Sequence, residues 1–233
     1  MPRFAVALLS LTGLLAAPLA AQRRELTVVA GGTLSWATGD NLAEVHKQAG
    51  FIGGLSLRLP RAAQFSLETS LLAVQRRLSG QRPPSTAPPE QSGPLSESVN
   101  LLFAEAQVLL RFQRGFSTVR PIRPYIHLGP YLGVRLGCRR EVTESNGNTR
   151  RTDCTVIPGS TGSESFIPAV YQEVDLGLLA GAGVEVRRFA FGLRFERSLR
   201  NLVESGGLVR TSPFDSSRLW SVMGSVEYLI RVI

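Results

Sequence analysis

The stretch VDLGLLAGAGVEVRRFAFGLRFE, residues 174–196, holds two alternating runs placed end to end. In the first, Val174, Leu176, Leu178, Ala180, Ala182, Val184 and Val186 alternate with Asp175, Gly177, Leu179, Gly181, Gly183 and Glu185. In the second, Phe189, Phe191, Leu193 and Phe195 alternate with Ala190, Gly192, Arg194 and Glu196. A period of two puts each set on one face of a strand. The Arg187-Arg188 step between the runs is a tight turn, so the segment reads as an antiparallel hairpin with one apolar face and one face carrying charges.

The same rule, carried outward, finds six more strands. Leu26 to Trp36 alternates apolar or small residues with Thr, Gly and Ser. Phe51 to Leu59 and Phe65 to Ala73 follow, joined by a short turn at Pro60-Arg61-Ala62-Ala63. Leu102 to Phe112, Tyr125 to Leu136 and Trp220 to Ile230 complete the set. Between them, residues 78–98 hold a tract with Pro83, Pro84, Pro88 and Pro89 that reads as a long exposed loop, because proline lacks the ladder donor. Short connections alternate with long ones. About eight strands of roughly 10 residues joined in this way is the pattern of a bacterial outer-membrane barrel, with short periplasmic turns and longer outer loops. The fold expected is all-β: an antiparallel transmembrane β-barrel of about eight strands.

A soluble eight-stranded barrel would turn its apolar face inward. Here the opposite face carries Arg58, Glu68, Glu105, Arg111, Asp175, Glu185, Arg194, Glu196 and Glu227. So many charges do not suit a dry core unless they pair, whereas a barrel of this size has an interior that side chains fill. We therefore expect a lumen polar network of Glu68, Glu105, Arg111, His127, Arg135, Glu185, Arg194, Glu196 and Glu227, and no wide pore. Trp36, Trp220 and Tyr228 fit an aromatic girdle on the lipid face.

The amino terminus has a separate logic. Arg3 precedes an apolar stretch from Phe4 to Ala17, and Pro18-Leu19-Ala20-Ala21 supplies the small residues of a cleavage site. Residues 1–21 are expected to be a cleaved signal peptide and 22–233 the barrel domain, in the bacterial outer membrane. After residue 21 no apolar run reaches the roughly 20 residues of a membrane-spanning helix. Export also places Cys138 and Cys154 in an oxidising compartment, where a disulfide would staple one long polar loop.

The formal charge of +8 is spread over turns and loops and does not form a basic arm with interleaved aromatics. The expected partner is outer-membrane lipid, with its anionic head groups, and no nucleic acid. No phosphate-binding glycine loop is present, and His46 and His127 form no cluster with the cysteines, so no cofactor and no metal are expected. His127 with Glu105 or Glu185 and Ser221 or Ser225 is the one set that could support a hydrolase, which some outer-membrane lipid enzymes use. A histidine among many lumen polar groups is more often structural, and no catalytic residue is assigned.

The segments Pro124 to Gly133, Asp175 to Glu185, Phe191 to Phe195 and Leu199 to Leu202 resemble the outer-membrane β-barrel family that includes the PorT proteins. Glu105 to Arg111 resembles that family's fourth-strand segment, and the likeness extends to small barrels of the OmpA and OmpX kind. The resemblance covers most of the chain after the signal segment. It implies a barrel, and a helper role in secretion or envelope assembly, without implying a catalytic motif. The function expected is a monomeric, non-enzymatic structural or interaction component whose loops meet an envelope or secretion partner. The alternative is a lipid-modifying or small-solute-transporting barrel.

Overall fold

A computed structural model of the chain describes residues 24–39, 44–60, 64–81, 96–113, 122–143, 147–154, 170–204, 214 and 217–232. The segment read as a signal peptide and the proline tract at 82–95 lie outside the described residues. Eleven strands form among those described: β1 (Arg24–Thr38), β2 (Glu44–Pro60), β3 (Phe65–Gln81), β4 (Ser96–Gln113), β5 (Ile122–Thr143), β6 (Thr149–Asp153), β7 (Val170–Tyr171), β8 (Val174–Val186), β9 (Phe189–Asn201), β10 (Val203–Glu204) and β11 (Arg218–Val232). Eight of them, β1 to β5 with β8, β9 and β11, pair antiparallel in a ring that closes through β11 and β1. Closure leaves no unpaired edge within the ring, which hydrocarbon requires. The turn at Arg187 carries a positive φ of 57°.

Along the middle of each strand the outward residues are apolar and exposed. Leu71 is 65% exposed, Leu128 61% and Leu193 61%, whereas Glu105, Arg111 and Arg194 opposite them are 0% exposed. That is the inverse of a soluble barrel and fits lipid outside and a polar lumen inside.

Beyond this band the polarity reverses. On β3 the outward positions become Gln75, Arg77 and Ser79, and the inward ones Val74 and Leu78; on β4 the outward set becomes Asn100 and Ser98, and the inward set Phe103, Leu101 and Val99. This end of the barrel has left hydrocarbon and is built like a water-soluble one. The strands are therefore longer than the apolar alternation suggested. Residues 78–81 and 96–98, read as loop, are ladder: Leu78 pairs with Val99 and Gln81 with Ser96.

The cysteine segment also differs from the expected loop. Above Val134, β5 loses β8 and pairs with β6, from Arg139 opposite Asp153 to Thr143 opposite Thr149. The Cys138–Cys154 disulfide thus clamps the base of a β-hairpin. A bulge at Leu136 separates Phe103 opposite Arg135 from Leu102 opposite Gly137. One extra residue switches the faces of β5. Cys138 consequently meets the inner apolar cluster, and Arg140 pairs with the buried Glu97.

Candidate functional site

Two tiers of charge fill the lumen. The tier nearer the short turns holds Arg58, Arg111 and Arg194. Arg58 donates to Glu25 at 3.0 Å and Glu185 at 2.9 Å. Arg111 donates to Glu185 at 3.0 Å and Glu68 at 3.4 Å, and its guanidinium lies 3.4 Å from the Tyr125 ring centre. Arg194 donates to Glu227 at 2.7 Å and Glu68 at 3.2 Å.

The second tier centres on Arg76, which donates to Glu105 at 2.5 Å, Glu196 at 2.6 Å and Asp175 at 3.0 Å. Asp175 also accepts from Tyr131 and Ser198. The Gln107 amide joins the tiers: its oxygen accepts from Arg194 at 2.8 Å, while its nitrogen donates to Glu105 at 2.7 Å and Glu196 at 3.2 Å. Charge-assisted bonds of this kind are among the stronger protein hydrogen bonds, and Arg in particular suits forked carboxylate contacts.

The aromatics of β5 close the remaining space. Tyr125, His127 and Tyr131 stand directly opposite Gly183, Gly181 and Gly177 of β8. A Cβ added to those glycines would sit 2.4, 2.2 and 2.4 Å from the Tyr125 hydroxyl, His127 Nε2 and a Tyr131 ring carbon. The glycines are thus seats for the rings. Above the second tier, Leu78, Val99, Leu101, Phe103, Tyr171, Leu202, Val203, Phe214 and Leu219 form an apolar cluster across the mouth. The paired fragments β7 and β10 bring Tyr171 and Val203 into it. A cavity of about 10 Å³ lies between the tier and this plug, room for at most one water.

Among the residues expected in the lumen network, Glu68, Glu105, Arg111, Glu185, Arg194, Glu196 and Glu227 lie in the two tiers. His127 is buried beside them, but neither ring nitrogen holds a hydrogen bond. Ser221 bonds Ser35 and the Ser225 hydroxyl has no partner, so no serine, histidine and acid are linked there. Arg135 stands apart from the tiers. It is half-buried and donates to the Tyr171 carbonyl in the plug, because β5 has risen past the charged tiers at that point. Sequence reasoning misses Arg76, since the apolar alternation of the third strand stops at Ala73. Continuing the count inward from Glu68 through Ser70, Leu72 and Val74 would have reached it.

The arrangement can occlude a lumen, fix strand register and present a rim. Among the described residues of the lumen, no serine hydroxyl is hydrogen-bonded to His127.

Several solved structures are similar to the chain at low identity. Ail, the attachment invasion locus protein of Yersinia pestis, is 13% identical with a TM-score of 0.42, over 88% of this chain and 98% of that one. Neisserial surface protein A is 13% identical with a TM-score of 0.39, over 87% and 96%. The outer-membrane enzyme PagL is 11% identical with a TM-score of 0.34, over 88% and 99%. No curated protein sequence matches the chain. The family model described as outer membrane protein beta-barrel domain matches residues 23–204. With most of its length covered and a closed eight-stranded ring, this chain belongs to the outer-membrane protein β-barrel domain family and is a small barrel of the bacterial outer membrane.

Proposed function

We propose that this barrel is a monomeric, non-enzymatic and non-conducting component of the outer membrane that acts through its outer end on an envelope or secretion protein partner. The observation that carries the reading is the double closure of the lumen. Arg76, Arg111 and Arg194 are fully buried against carboxylates, and the plug of Tyr171, Leu202, Val203 and Phe214 lies above them. A solute path would require both to open together. What remains available to a partner is the rim, including the clamped hairpin of β5 and β6. The resemblance to PorT-type barrels favours an envelope or secretion partner over a small ligand.

Two measurements test this. Purified protein inserted into planar bilayers is expected to give no discrete conductance steps; steps that persist in salt would refute the closed lumen. Cross-linking in intact outer membranes from a probe at Ser160, outside the described residues, is expected to capture one stoichiometric protein. Capture of lipid alone would refute the partner.

A further inference from the structure

The arginines inside the barrel are paired with carboxylates, but a group of cations on its outside has no such partner among the described residues. Trp36 of β1 and Trp220 of β11 are direct cross-strand partners, and Trp220 in turn stands opposite Arg197 of β9. The Lys47 ammonium of β2 lies 5.3 Å from the Trp36 ring centre, and the Arg197 guanidinium 4.7 Å from that of Trp220. Phe195 packs against both indoles, and Trp220 Nε1 donates to Thr38 at 2.8 Å, so the rings are held in place. Arg218, opposite Thr38, adds a third exposed cation one step further out. No carboxylate among the described residues forms an ion pair with Lys47, Arg197 or Arg218.

The position of this group identifies its counterion. Immediately toward the membrane centre the outward face is apolar, with Leu34 47% and Phe195 41% exposed, so hydrocarbon begins one residue pair below the indoles. Tryptophan favours that boundary. Three cations just above it, on the side of the long connections, face the head groups of the outer leaflet.

We infer that the face formed by Lys47, Trp36, Trp220, Arg197 and Arg218 binds the phosphate of an outer-leaflet lipid, whose acyl chains lie along Leu34 and Leu193. Arg supplies forked donors to phosphate oxygens, and the indole faces steady the cations in a desolvated setting. This site is independent of whether the lumen conducts or a protein partner exists.

Trp36 and Trp220 are the two tryptophans of the chain, so its indole emission reads this face directly. The barrel in neutral maltoside micelles is titrated with bisphosphorylated lipid A. The expected result is a saturable emission change that disappears when the lipid's phosphates are removed. The triple variant Lys47→Gln, Arg197→Gln, Arg218→Gln should need on the order of a hundredfold more lipid. Heat-dependent gel mobility checks that the variant is folded, and the dephosphorylated-lipid arm needs no variant. An equal response from dephosphorylated lipid, or undiminished binding by a folded triple variant, would overturn the site. The same change produced by inorganic phosphate alone would overturn its assignment to a lipid.

Discussion

Replacing Arg76 with methionine tests whether the second charged tier holds this barrel together. Arg76 is fully buried and, among the described residues, is the only cation bonded to Glu105 and Glu196; Asp175 accepts from it as well. Methionine fills similar volume but supplies no donor and no charge. The three carboxylates would keep only the Gln107 amide, the Tyr131 hydroxyl and the Ser198 hydroxyl as donors. Removing one partner of a buried ion pair costs about 3–5 kcal/mol, because the other charge stays buried. With a urea slope of about 2–3 kcal/mol per molar, the unfolding midpoint should fall by about 1–2 M. The assay is equilibrium urea unfolding in phospholipid vesicles, followed by tryptophan emission and by gel mobility without heating. Adding Glu105→Gln and Glu196→Gln to the methionine variant should recover most of the loss, since neutral amides no longer need a counterion. An Arg76→Met barrel that unfolds at the wild-type urea concentration would show that the tier contributes nothing, and that lipid-facing packing alone carries stability.

Other consequences can be checked in the same preparation. Gly181→Ala places a methyl 2.2 Å from His127 Nε2 and 2.6 Å from the Leu193 carbonyl. It should cost about 1–3 kcal/mol of unfolding free energy, whereas Gly224→Ala, with nothing within 4 Å, should be close to neutral; equal effects would refute the ring-seat explanation. Replacing both Cys138 and Cys154 with serine opens a link of sequence separation 16. The model-dependent entropic gain of closing such a loop is about 3 kcal/mol. Trypsin should then cut at the exposed Arg150 and Arg151 markedly faster, with barrel gel mobility unchanged.

What could be read from sequence was the part of the barrel that lies in hydrocarbon. There one solvent acts on the whole outward face, so Leu102 to Phe112 or Leu176 to Val184 alternates without a break and every inward charge is legible by parity. Reading failed where the solvent changes along a strand. The ladder of β3 continues through Gln75, Arg77 and Ser79, but those outward residues meet water, so the apolar signal stops at Ala73 and Arg76 is lost with it. On β5 the Leu136 bulge changes parity beside Gly137, but Gly129 and Gly133 stand in the same strand without a bulge, so glycine alone does not single out the place. The faces of Cys138 and Arg140 therefore come from the ladder and not from counting. The plug residues Tyr171, Leu202, Val203 and Phe214 converge from separate connections, and no local pattern announces a contact of that range.

The buried ion tiers invite a question of purpose, since hydrophobic residues of similar volume can often replace buried ion pairs with no loss of stability. Register supplies a physical answer. A one-residue slip of β9 would exchange its faces, moving Arg194 and Glu196 into lipid and bringing Phe191, Leu193 and Phe195 into the lumen. An arginine near the bilayer midplane costs about 2–4 kcal/mol, and the slip would also take Arg194 from Glu68 and Glu227 and Glu196 from Arg76. An all-apolar lumen would lack that penalty, because either face of the strand could then meet lipid. The same registers place Trp220 opposite Trp36 on one side and Arg197 on the other. The inner charges therefore do more than occlude the barrel: by holding β9 and β11 in step, they fix which residues stand together on the rim.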